Sequence, residues 1–149
     1  MAIDPIPKYR VYAKGVSLKI GQVARRGGVN LQTIRYYERE GLLPKPPRLA
    51  SGYRTFPDTA ADRVRFIKRA QELGFSLAEI RELLYLGRDA GAQEIRDRAK
   101  AKVADIEQKI RALREMKSAL NKLAERCPGR GPLSDCPILE AMGAKGVLV

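Results

Sequence analysis

Val103, Ile106, Ile110, Leu113, Leu120, Ala124 and Cys127 recur at alternating steps of three and four, with Lys117 as the one exception. That spacing is a heptad seam, and it predicts one helix from about Ala92 to Arg126. A lone amphipathic helix of this length has nothing to bury its seam against except a second copy, so a coiled-coil homodimer is expected. The spacing leaves open whether the two helices run parallel or antiparallel.

The rest of the chain must fit around that helix. At 149 residues there is room for one small domain beside it, and not for two full-sized domains. Twenty-nine Lys and Arg against 17 Asp and Glu give a net charge of +12, which favours a polyanionic partner through phosphate contacts and counterion release. No apolar run approaches the roughly 18 residues of a membrane span. The first residues, Met1 to Arg10, also lack the apolar core of a signal peptide, so a cytoplasmic protein without a membrane partner is expected. In a reducing compartment the two cysteines are free thiols or metal ligands rather than a structural disulfide. With no histidine, Cys-His and Ser-His catalysis are excluded, and no base, oxyanion loop or phosphate cradle accompanies either thiol. An enzyme is not expected.

Residues 1–17 read as a loosely docked N-terminal extension. Leu18, Ile20, Val23 and Ala24 then share one face of a short helix that breaks at Gly27-Gly28. Asn30 can cap a second helix carrying Leu31, Ile34 and Tyr37 on its buried side. Two short helices around a glycine turn outline a helix-turn-helix, whose second helix enters the major groove. Gln32, Arg35, Tyr36 and Arg39 fall on the open side of that helix. Periodicity alone does not separate a DNA-facing surface from an ordinary solvated one. Gly41 ends the helix, Pro44, Pro46 and Pro47 forbid another, and Ser51-Gly52 marks a turn before Tyr53-Arg54-Thr55-Phe56. Residues 43–56 therefore read as a two-stranded wing whose Arg48, Tyr53 and Arg54 can grip the DNA backbone or minor groove.

Pro57-Asp58 opens a third helix with Val64, Ile67, Ala70 and Leu73 at core spacing. Its Arg63, Arg65, Lys68 and Arg69 are a solvated basic face or further phosphate contacts. Ser76 to Glu79 fits a capping box, and Ile80, Leu83 and Leu84 form the buried stripe of a fourth helix ending near Gly87. Residues 58–91 thus form a helical connector.

After the long helix, residues 127–142 hold both cysteines, each before a proline. Gly129 and Gly131 let the backbone double back so that Cys127 and Cys136 can meet, and Pro137 suits the first position of a short helix capped by Cys136. There the helix dipole favours the thiolate, the metal-binding form. Two thiolates without histidine suit a soft ion, and linear coordination of a monovalent coinage metal needs no other ligand. Structural zinc wants four ligands, which only a dimer could pool. Spacing alone equally allows two buried, unpaired thiols. Residues 143–149 read as a disordered tail.

Lys19 to Ala24, Thr33-Ile34-Arg35-Tyr36-Tyr37-Glu38-Arg39-Glu40-Gly41-Leu42-Leu43, Arg48 and Ser51 to Phe56 together resemble the MerR family of bacterial transcription regulators, over about residues 18–142. The resemblance implies a mainly α protein: a winged helix-turn-helix over 18–57, the connector, and a long antiparallel coiled-coil dimerisation helix over 92–126. It places Arg35 and Tyr36 on the recognition helix with Gln32 near base edges, and makes Arg48, Tyr53 and Arg54 backbone contacts. It also implies a homodimer on double-stranded promoter DNA, bending and untwisting it for RNA polymerase once an effector is bound.

The tail resembles the metal-sensing branch, in which two loop cysteines, here Cys127 and Cys136, bind metal at the dimer interface. Mercury, zinc and lead sensors of that branch add a third cysteine at the start of the long helix, where this chain has Ala92. Copper, silver and gold sensors lack it, so the resemblance implies Cu(I), Ag(I) or Au(I) as the effector. The nine-residue spacing of the cysteines is the feature more like mercury sensors, which makes Hg(II) the alternative. A thiol switch on the same fold, closing a Cys127–Cys136 disulfide in response to oxidants or electrophiles, is a third reading.

Overall fold

The computed structural model describes residues 17–46, 48–86 and 91–144. The N-terminal extension up to residue 16, the glycine break at 87–90 and the tail at 145–149 lie outside them. The chain divides into two compact units, Met1–Arg98 and Ala99–Val149.

The first four helices each start on local chemistry. Helix α1 (Ile20–Gly27) opens where the Lys19 N–H donates to Gln22 Oε1 at 2.8 Å, and it closes on Gly28 in the left-handed conformation. Helix α2 (Leu31–Arg39) is capped by Asn30, whose Oδ1 accepts from the Thr33 N–H at 2.8 Å. Helix α3 (Thr59–Glu72) begins at Asp58, and α4 (Leu77–Tyr85) at a reciprocal capping box between Ser76 and Glu79. Capping satisfies the orphan N–H groups of short helices that would be marginal alone.

What holds them together is one core. Val23, Ile34, Leu42, Leu43, Phe56, Val64, Ile67 and Ile80 are sealed from solvent, drawn from α1 to α4 and from the segment between α2 and α3. Each side chain of this size contributes about 1.5–3 kcal/mol on burial. Tyr37 adds a polar tie: its hydroxyl donates to Gln71 Oε1 at 2.7 Å, fastening α2 to α3. Arg98 donates to Glu82 at 2.6 Å and to Glu94 at 3.4 Å, which joins α4 to the first turns of α5 (Ala92–Arg126).

Four expectations change. Leu31, expected on the buried side of α2, is 43% exposed at the helix's first position, and only Ile34 and Tyr37 are buried. Leu18 is not on the face of α1; it is bridged to Phe56, each N–H donating to the other's carbonyl at 2.7 and 2.8 Å. Leu73 is 55% exposed because it stands at the end of α3, where the chain turns away at Gly74. The two-stranded wing is a tight hairpin in which the one bridged pair among the described residues is Arg48 with Arg54, closed by Leu49 and Tyr53 around Gly52 at φ 82°. Further along, Phe56 gives both its N–H and its carbonyl to Leu18 instead of to the facing strand.

In the second unit the remainder of α5 runs without a break to Arg126. Its seam faces outward in the single chain: Val103, Ile106, Ile110, Leu113 and Leu120 are all exposed, Leu113 by 62%. A short 3-10 turn (Leu133–Asp135) and helix α6 (Pro137–Ala141) complete it.

Candidate nucleic-acid interface and cysteine loop

Because Ile34 and Tyr37 take the buried side of α2, Gln32, Arg35, Tyr36 and Arg39 are left on its open side. The Arg39 guanidinium lies 6.0 Å from the centre of the Tyr36 ring, a cation–π distance. Between α2, the start of α1 and the hairpin runs a groove of about 1080 Å³, lined by Lys19, Arg25, Arg35, Arg39, Lys45, Arg48, Tyr53 and Arg54. The Lys19 ammonium sits 5.9 Å over the Tyr53 ring, and Arg48 Nη1 donates to the Gly52 carbonyl at 3.4 Å. Of the six residues expected to face DNA, the fold gathers Arg35, Arg48, Tyr53 and Arg54 around this groove. Gln32 and Tyr36 lie on the same helix but are not among the lining residues.

One acid stands in that cationic wall. The side chain of Glu38 is only 4% exposed, and its Oε2 is 3.9 Å from Arg54 Nη1. Burial pushes its carboxyl above the usual range, while Arg54, Lys45 and Arg35 pull it down. Sequence reasoning did not single out Glu38, Arg25 or Lys45. The signal available for Glu38 was its place three residues after Arg35, on the same side of the helix.

Of the basic residues of α3, Arg65, Lys68 and Arg69 are exposed, as a solvated face requires, and Arg63 is half-buried, but three of the four also reach main-chain carbonyls. Arg63 Nε donates to the Leu42 carbonyl at 2.6 Å, Arg65 Nη1 to Arg26 at 2.9 Å and Lys68 Nζ to Gly28 at 2.8 Å. From α4, Arg81 donates to the Glu40 carbonyl. Carbonyls at helix C-termini lack intrahelical partners and carry the negative end of the helix dipole, so cations from α3 and α4 clamp the ends of α1 and α2. Arg69 instead pairs with Glu72 at 3.0 Å.

In the second unit, the Cys127 N–H still donates to Leu123 and Ala124 of α5 at 3.2 Å. Gly129 and Gly131, at φ 68° and 104°, then turn the chain back, so that Cys136 caps α6 and both half-buried thiols come together. Backbone N–H groups of Leu139 and Ile138, with the Cys127 thiol, hold the Cys136 thiol below its ordinary range against the opposing effect of burial. Two soft sulfur donors in hydrogen-bond reach fit a thiophilic ion. Among the described residues no group of three or more Cys, Asp or Glu side chains forms a larger donor set.

The sequence profile described as "MerR HTH family regulatory protein" matches residues 18–86, and that described as "MerR, DNA binding" matches 61–123. The chain is 44% identical over 132 residues to the mercuric resistance operon regulatory protein of Bacillus cereus, covering 87% of this chain and all of that protein. The chain belongs to the MerR family.

Solved MerR structures share its architecture. The dual function regulator MerR of Bacillus megaterium in complex with mercury(II) is 42% identical with a TM-score of 0.63, and PbrR691 of Ralstonia metallidurans in complex with lead(II) is 31% identical with a TM-score of 0.74. Each comparison covers 84% of this chain and 98% of the other. The protein is therefore a DNA-binding transcription regulator and not an enzyme, and MerR regulators bind promoter DNA as homodimers. No helix among the described residues is long and apolar enough to cross a membrane.

Proposed function

We propose that this MerR regulator is metal-responsive, with a thiophilic ion bound by Cys127 and Cys136 as its effector, and that Hg(II) is that ion rather than Cu(I), Ag(I) or Au(I). The observation that carries the reading is the meeting of two thiols, one of them held toward thiolate by backbone N–H groups. Likeness to a mercuric resistance regulator and to a mercury(II) complex supports Hg(II), and none of these relatives supports the coinage metals. Ala92 in place of a third cysteine limits the ligands of one chain to two sulfurs, which a soft ion accepts in linear coordination.

On this reading residues 18–57 bind DNA in the cytoplasm, with Gln32, Arg35 and Tyr36 toward the major groove and Arg48, Tyr53 and Arg54 on the backbone. Residues 58–91 connect, 92–126 pair in an antiparallel coiled coil, and 127–142 bind metal. Metal acts by favouring the dimer state that distorts the promoter for RNA polymerase, which requires a higher affinity for that state than for the resting one.

Anaerobic competition titration of the reduced dimer with Hg(II) and Cu(I), in buffering ligands, tests the metal. Hg(II) preference that disappears in Cys127→Ser and in Cys136→Ser is the expected result. Cu(I) preference would restore the coinage-metal reading. Binding of neither metal, with ready Cys127–Cys136 crosslinking on oxidation, would favour the thiol switch.

A further inference from the structure

A groove built to receive phosphates has no evident need of a carboxylate, yet Glu38 occupies its wall. One of its oxygens, Oε1, is buried with no hydrogen-bond partner among the described residues. Leaving such an atom unsatisfied is costly, so the position is held for some compensating return. The other oxygen faces Arg54 across the gap between α2 and the hairpin. The Arg54 main chain is already pinned by its bridge to Arg48, which leaves only its side chain to be aimed. At 3.9 Å the attraction orients the guanidinium without consuming its N–H donors, and the Arg54 side chain stays 34% exposed toward the groove.

We propose that Glu38 is a positioning residue that aims Arg54 from the hairpin at the DNA backbone and ties the hairpin to the recognition helix. This rests on the reading of Arg54 as a phosphate contact. Coulomb's law alone makes the opposite prediction: removing a negative charge from a cationic groove should tighten binding of a polyanion.

Fluorescence anisotropy with a labelled duplex of arbitrary mixed sequence decides between them, because a phosphate contact is sequence-independent. The intact dimer, Glu38→Gln, Arg54→Ala and the double variant are titrated across a salt series. We expect Glu38→Gln to weaken binding about three- to tenfold, on the scale of one charge-assisted hydrogen bond, and to flatten the salt slope by up to about 0.9, as Arg54→Ala does. In the Arg54→Ala background the Glu38 substitution should then change affinity by less than about twofold, the sign that both act through one contact. Tighter or unchanged binding by Glu38→Gln overturns the proposal, as does equal weakening in the Arg54→Ala background. If Arg54→Ala itself leaves affinity unchanged, the phosphate-contact reading fails and takes the proposal with it. Far-UV circular dichroism checks folding; should Glu38→Gln not fold, Glu38→Met matches the volume with no buried polar group and carries the same comparison.

Discussion

Gly27 shows how tightly the DNA-binding unit is packed. It is buried in the last turn of α1, and a β-carbon built on it would lie 2.9 Å from Val64 Cβ on α3 and closer still to Cγ1. Val64 is fully buried and β-branched, so it cannot swing aside. Gly27→Ala therefore sets two effects against each other. Helix propensity favours alanine by about 1 kcal/mol, while overpacking of a filled core costs about 1–3 kcal/mol. The net expectation is a destabilisation of up to about 2 kcal/mol. Gly21, in the same helix with nothing within 4 Å of its built β-carbon, is the control, and Gly21→Ala should stabilise by about 0.5–1 kcal/mol. Urea denaturation of the reduced protein at fixed protomer concentration measures both, since dimer stability depends on concentration. Adding Val64→Ala should relieve the clash and show a favourable coupling with Gly27→Ala. A Gly27→Ala variant as stable as Gly21→Ala, or one with no coupling to position 64, would refute the packing argument.

Asn30→Ala removes the cap on the Thr33 N–H and should cost about 1 kcal/mol, read as a lower urea midpoint; an unchanged midpoint would mean the cap is replaced. Cys127→Ser and Cys136→Ser should each abolish the metal response in a reporter assay while duplex affinity is retained, and lost DNA binding would instead make the cysteines structural. Cys136 should be alkylated by iodoacetamide faster than a free cysteine thiol at a pH below the ordinary thiol range, since its pKa is lowered; equal rates would contradict the N–H contacts. The folded carboxyl of Glu38 has its pKa raised above the unfolded value, so folding binds a proton there and its ionised form at neutral pH disfavours the fold. Glu38→Gln should accordingly melt above the parent protein at neutral pH, with the gap narrowing as pH falls through the folded pKa, and a gap that widens on acidification would reverse the assignment.

Much of this protein was legible without coordinates, and the legible parts share one property. Asn30 with Thr33, Ser76 with Glu79, the left-handed glycines after α1 and α2 and the thirty-five residues of α5 are all set by neighbours within one or two helical turns. Cys136 at the N-cap of α6 followed from Pro137 in the same way. The motif from Thr33 to Leu43 with Ser51 to Phe56 likewise identified the family before any distance was known.

Contacts between distant segments were not legible. The donors Arg63, Arg65, Lys68 and Arg81 reach carbonyls 21 to 41 residues away, so periodicity could only mark them as charged and facing outward. Whether Leu18 extends α1 or pairs with Phe56, and whether Leu73 is covered, depends on where the chain goes after Pro57 and Gly74. Glu38 is the clearest case: its spacing puts it on an ordinary helix face, and only the approach of the hairpin turns it into a buried carboxylate beside Arg54. Hydrogen bonding and side-chain spacing along a helix are written in consecutive residues, so the helices, their caps and the seam could be read from the order of residues alone. Burial and charge pairing depend on which remote surfaces meet, so it took the packed fold to show which cations line the groove, which ones clamp the helix ends, and which acid stands between them.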